Sequence, residues 1–154
     1  MADWLTPHWS DGACAMVLVA GEGAVRVADV GTSFRPYCPE PADLDPALWV
    51  HEAMARTARV NRDLAVVEIG GPTAVCEFAA LAQIISATDM LPTDGRLNAS
   101  GGGATTFFGP ATGLRHIAAV ARALGANLGT GLAIDLAGPI GQATSVIKLE
   151  GLGR

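Results

Sequence analysis

The chain has 154 residues, half of them hydrophobic, only 16% charged, with 19 glycines; it can bury one sizeable core and is not a disordered, charge-rich segment. Ten basic against fifteen acidic residues give a net charge of −5, which leaves no electrostatic footprint for nucleic acid or an anionic membrane. No apolar run approaches the roughly 18 residues of a membrane span, and Met1-Ala2-Asp3-Trp4-Leu5 lacks the layout of a signal peptide, so a soluble, cytoplasmic protein is expected.

The first regular segment is Cys14–Ala20, opened by Asp11-Gly12 and closed by Gly21-Glu22-Gly23; Val25–Gly31 follows at once. They read as consecutive strands joined by a short glycine-containing turn. Four prolines between Phe34 and Pro46 mark a loop, which also holds Cys38. Asp45-Pro46 then supplies a cap and a first-turn proline, with Ala47, Val50, Met54 and Ala58 at helical spacing, so an amphipathic surface helix is predicted. Its charged face, Glu52, Arg56 and Arg59, is expected to be solvated, with Glu52 and Arg56 in the favourable i,i+4 order and His51 on the flank.

Leu64–Ile69, ending at Gly70-Gly71-Pro72, is the pattern of a buried strand turning into a helix. That helix runs from about Thr73 to Ile85, with only Glu77 and Gln83 as polar punctuation, and is expected to be buried on nearly every side, Cys76 included. Glycines crowd the stretch Leu97 to Gly113, after which Leu114, Ile117, Ala118, Ala121 and Leu124 resume the helical period. Thr112 is available as its cap and Gly125 as its stop. Two strands, Thr130–Leu136 and Thr144–Leu149, close the chain across a hairpin loop at 137–143. Alternating strands and helices followed by a hairpin predict a layered α/β domain with a mixed five-stranded sheet and helices on both faces.

Few segments carry chemistry. Ser100 to Gly113 runs glycine-rich into a helix start and either holds an anion, through free N–H groups and the helix dipole, or lets two backbones pack closely. It is neither a Walker motif nor GxGxxG. Cys14, Cys38 and Cys76 have no CxxC spacing and no clustered His, so they read as structural thiols, with Cys38 open to a reactive role in its loop. His116, one turn into the last helix, reads as a surface or packing residue, and His8 precedes the first strand in an irregular segment.

Several segments together resemble the carboxyl-terminal half of thiolases. Ser10-Asp11-Gly12-Ala13-Cys14-Ala15 is similar to the family's Ser-Asp-Gly-Ala-Ala-Ala strand, and Val67-Glu68-Ile69 before Gly70-Gly71-Pro72-Thr73-Ala74 to its Val-Glu-Ile before Asn/His-Glu/Asp-Ala-Phe-Ala. Asn98-Ala99-Ser100-Gly101-Gly102 resembles Asn-Pro-Ser-Gly-Gly. Ala111-Thr112-Gly113-Leu114-Arg115 resembles the Ala-Thr-Gly-Ala-Arg that opens the central helix, and Gly131-Leu132-Ala133 with Gly138 and Gly141 the last glycine-rich hairpin. The sterol-carrier or lipid-transfer branch is the most similar.

The resemblance implies a division into residues 1–23, ending the family's amino-terminal domain, and 24–154, its carboxyl-terminal domain. It also implies losses. The family's nucleophilic cysteine and most of its coenzyme A loop would precede this chain, the histidine of its Gly-His-Pro is absent at Phe107-Phe108-Gly109-Pro110, its second cysteine falls near Asp135 or Leu136, and its Asn/His becomes Gly70. The expectation is a non-catalytic, oligomeric thiolase-like subunit. It would bind no cofactor itself, and its thiolase-fold partner would supply the cysteine and, with it, a site for a coenzyme A thioester. The branch also allows a small OB-fold, zinc-ribbon protein as a further partner. The alternatives are a split acyltransferase or aldolase, with Thr105, Thr106, His116 and Asp135 as catalytic candidates, and a homodimeric module binding an acyl or phosphate group. The substrate-binding candidates are Ser100, Gly101, Gly102, Thr105, Thr106, Gly109, Thr112 and Gly113; no metal ligands are expected.

Overall fold

A computed structural model describes residues 7–34, 52–56, 64–88, 96–105, 107–125, 127–138 and 142–153. The expected loop after Phe34 with Cys38, the Asp45-Pro46 helix start, Ala47, Val50, His51, Ala58, Arg59, Thr106 and the tip of the last hairpin lie outside these residues.

Four strands, β1 (Val25–Phe34), β2 (Leu64–Gly70), β3 (Leu128–Ala137) and β4 (Ala143–Leu152), form one sheet in the order β1-β4-β3-β2. β2 and β3 are parallel, because helices α1 (Ala74–Thr88) and α3 (Ala111–Leu124) intervene; β3–β4 and β1–β4 are antiparallel. A short helix, α2 (Gly102–Thr105), precedes α3. The mixed α/β layers match the reading of the sequence.

The period of two along the strands divides the core. Val67, Ile69, Leu132, Ile134, Leu136 and Val146 face Cys76, Ala80 and Ile84 of α1, while Val66, Ala133 and Leu149 face Val120 and Leu124 of α3. The buried residues of α3, Thr112, His116, Val120 and Leu124, recur every four residues and make one stripe. Gly125 ends the helix, its N–H bonded to the Ala121 carbonyl at 2.9 Å.

Several expectations change. The fifth strand, Cys14–Ala20, pairs with nothing among the described residues; it runs extended, with Val17, Leu18 and Val19 more than 70% exposed. Beside β2 the sheet instead gains a single parallel bridge, Val67 to Leu97, with Val67 N–H donating to Arg96 O and Asn98 N–H to Val67 O. Helix α1 is not buried all round: Val75 and Phe78 on its outer side are mostly exposed, since the sheet covers only the Cys76 side. Residues 52–56 are helical, but Glu52 and Arg56 are engaged with β1 rather than simply solvated. Glu52 accepts from Ser33 Oγ at 2.7 Å and Arg56 donates to Thr32 O at 2.8 Å, because this turn lies against the end of β1. His8 is placed by its carbonyl, which accepts from Phe107 N–H, with Trp9 edge-on to the Phe107 ring. No helix among the described residues is long and apolar enough to cross a membrane.

Candidate functional site

Parallel β2 ends at Gly70, which pairs in register with Asp135 near the end of β3, and Asp135 pairs with Ser145 of β4. Helix α3 begins above this row. Strand ends meeting a helix start are where open α/β sheets place ligands.

Asp135 stands on the α3 face of β3. Its carboxyl lies against Gly113, where an added Cβ would come within 2.8 Å of Cγ and Oδ2; only a residue without a side chain lets the first turn of α3 sit on this carboxyl. Burial pushes the Asp135 carboxyl up to about 6, from an ordinary 3.8, because desolvation penalises the charged form. Asp135 is largely covered, with an outlet to a cavity.

His116 is fully buried, so of its two expected roles, surface or packing, the packing one holds. Its ring fills the space over Gly70, where a Cβ would overlap it. An Arg115 Nη2 lies 3.1 Å from His116 Nε2; a guanidinium can only donate, so Nε2 accepts and the proton of the neutral ring sits on Nδ1. Nδ1 is buried and has no hydrogen-bond partner. Both Nδ1 and Asp135 Oδ1 lie within 3.4 Å of the point where a Gly70 Cβ would stand. Burial first, and the Arg115 charge second, lower the His116 pKa to about 4.

The glycine-rich loop is held from inside the protein. Ser100 gives both its N–H (2.8 Å) and its hydroxyl (2.6 Å) to the buried carboxyl of Glu68. Arg115 donates to the carbonyls of Ser100 and Gly102 and stands over the Phe108 ring. Asn98 Oδ1 accepts from Ile69 N–H at 2.6 Å, and Gly101 N–H bonds Asn98 O. The turn uses positive φ at Gly101 (96°) and Gly102 (59°). Thr105 Oγ1 donates back to Gly102 O. Gly109, also at positive φ, has open space beside it. Thr112 is not the cap: Pro110 occupies that position and makes no side-chain bond, while the buried Thr112 Oγ1 accepts from Phe108 N–H at 2.9 Å.

Of the candidate residues, the structure thus gathers Asp135, His116 and Gly113 at one place and ties Ser100, Gly101, Gly102 and Thr105 into a neighbouring loop. A cavity of about 210 Å³ opens between α3 and strands β3 and β4, walled by Leu114, Ile117, Ala133 and Ile147, with Asp135 and Ser145 as its polar groups. Sequence reasoning missed Glu68, Arg115 and Ser145 as parts of this region. A lone carboxylate in an otherwise apolar strand was a usable signal for Glu68; nothing local marks Ser145, which only the β3–β4 register brings beside Asp135.

The fold is thiolase-like. The Acat5 thiolase of Ascaris suum, solved in complex with coenzyme A, superposes with a TM-score of 0.61 at 23% identity over 85% of this chain and 32% of that one. The acetyl-CoA acetyltransferase of Bacillus anthracis gives 0.56 at 17% identity over 85% of this chain and 31% of that one. The chain therefore spans about a third of the length of these structures. No family model and no curated protein matches it.

Proposed function

We propose that the chain is a thiolase-like subunit without a nucleophilic cysteine of its own, which pairs with a thiolase-fold chain carrying one and serves carbon–carbon bond chemistry on acyl-CoA. The observation that carries this reading is the bare half of the α3 face. Helix α3 lies over β2 and β3, while Val27, Val30 and Phe34 of β1 are 43%, 51% and 73% exposed. They are in register with Leu149, Ile147 and Ala143 of β4, on the same face as α3. Strands lie about 4.8 Å apart and a helix is about 10 Å across, so β1 and β4 offer the width of one further helix beside α3. Leu114 and Ile117 line the α3 flank of that gap. The extended apolar run Val17-Leu18-Val19 is exposed as well. A soluble monomer rarely leaves so much contiguous apolar surface open.

The two thiols among the described residues agree with a borrowed nucleophile. Cys76 is buried under α1, on the side of the sheet away from the cavity, and Cys14 lies in the unpaired segment. A second reading, a split acyltransferase or aldolase to which this chain lends an acid/base group, is favoured by Asp135 lining the cavity.

Native mass measurement after gentle purification from the host, with the bound chains identified, tests the proposal. The expected result is a complex with a cysteine-bearing thiolase-fold chain. A monomer or a homodimer alone overturns it, and a homodimer leaves the homodimeric binding module in its place.

A further inference from the structure

The cavity beside Asp135 has features that the pairing of subunits does not explain. A buried carboxyl is ordinarily served by several donors, yet no protein group among the described residues donates to Asp135. Two positions without side chains, Gly70 and Gly113, make the space in which His116 and Asp135 come together. The buried His116 Nδ1–H, its proton placed there by Arg115, is left without an acceptor at the same point. Unsatisfied groups of this kind in a folded interior call for a missing polar partner.

We infer that the cavity is a binding site for a small uncharged group bearing a hydroxyl, which donates to the Asp135 carboxyl and accepts from the Ser145 hydroxyl, with His116 as a positioning residue behind Asp135. The size fits: at about 30 Å³ per water, 210 Å³ has the capacity of about seven waters, or a group of comparable heavy-atom number. The walls select an aliphatic skeleton, since Leu114, Ile117, Ala133 and Ile147 offer no polar atoms of their side chains. The polar pair selects an alcohol oxygen. A carboxylate needs a donor and repels an anion, and the neighbouring serine can donate in return, so a phosphate or carboxylate ligand is disfavoured here. His116 stands outside the cavity lining, its Nδ1–H and the Asp135 Oδ1 bordering the same point above Gly70, so the ring lies beside the carboxyl on the β2 side, away from the ligand.

The cavity lies in the same gap beside α3 that the pairing reading gives to a partner helix, so the test uses the isolated protein, and a failure of the pairing reading leaves the inference standing. The probes are 3-hydroxybutanamide and butanamide, which differ by one hydroxyl. The Asp135 side-chain carboxyl is followed by ¹³C NMR. The hydroxylated probe is expected to shift that signal and to bind at least tenfold tighter than butanamide. Ser145→Ala is expected to weaken the preference, and Asp135→Val to abolish it. His116→Leu is expected to reduce the preference while thermal unfolding stays cooperative, and His116→Gln, which restores an N–H donor, to recover part of it. Equal binding of the two probes, or an unmoved Asp135 signal in the wild-type protein, overturns the inference whether or not the variants fold.

Discussion

Asp135 and His116 pull stability in opposite directions with pH. The His116 pKa falls from 6.5 to about 4 on folding, so acidification through that window protonates the unfolded chain first and costs stability, up to about 3 kcal/mol. The Asp135 pKa rises from 3.8 to about 6, so the folded chain takes up the proton first and the same acidification returns a similar amount, about 3 kcal/mol. With Glu68 and Arg115 as the other charged groups on this side, the two nearly cancel between pH 4 and 6. Urea unfolding at a series of pH values reads each variant against the native chain. Asp135→Asn is expected to lose stability on acidification, and His116→Leu to gain it. If both variants track the native chain, the two groups do not titrate as the burial argues. Ser100 belongs to the same scale: its hydroxyl is one of two donors to the fully buried Glu68, so Ser100→Ala should cost about 1–3 kcal/mol, read from the shift of the denaturation midpoint.

Helix α3 is set by what the strands beneath it lack. A methyl at Gly70 would overlap the His116 ring, so Gly70→Ala must displace α3 or turn the imidazole out, at a cost of about 1–3 kcal/mol. In a double-mutant cycle, His116→Ala should recover much of that loss; additive effects would show that the two positions do not meet. The same helix shows where reading the sequence succeeds and stops. Its helical character, its glycine stop and the strands around it were legible because local periodicity and a terminal glycine are short-range signals, but its buried stripe runs through Thr112, His116, Val120 and Leu124 rather than through Leu114, Ile117, Ala118 and Ala121. The Cys14–Ala20 run has the composition of a strand, but pairing needs a neighbour, and composition does not say whether the chain itself supplies one. Helix α1 looked wholly buried because its outer side is as apolar as its inner one. For the site, Asp135 and His116 could be nominated singly; their meeting over Gly70 depends on the β2–β3 register, which no short stretch encodes.

At the scale of the molecule, the bare half-face and the integrity of the domain are separable. Val30 and Phe34 are exposed, so Val30→Lys and Phe34→Lys should change the stability of the isolated chain by no more than about 0.5 kcal/mol. The same substitutions should abolish the complex with a thiolase-fold partner, as measured by native mass. Survival of the complex with both changes would place the partner elsewhere. The order of the sheet has a consequence of another kind. In the sheet β1 pairs with β4 alone among the described residues, and the Arg26–Glu150 clamp between them joins residues 124 apart in the chain. On the ribosome, β1 emerges long before the strand that stitches it into place, and pairings so distant in sequence are slow to close. Through that interval its valines and Phe34 are open to whatever apolar chain is nearest, so synthesis beside the proposed partner would shelter during assembly the surface that such a partner would cover.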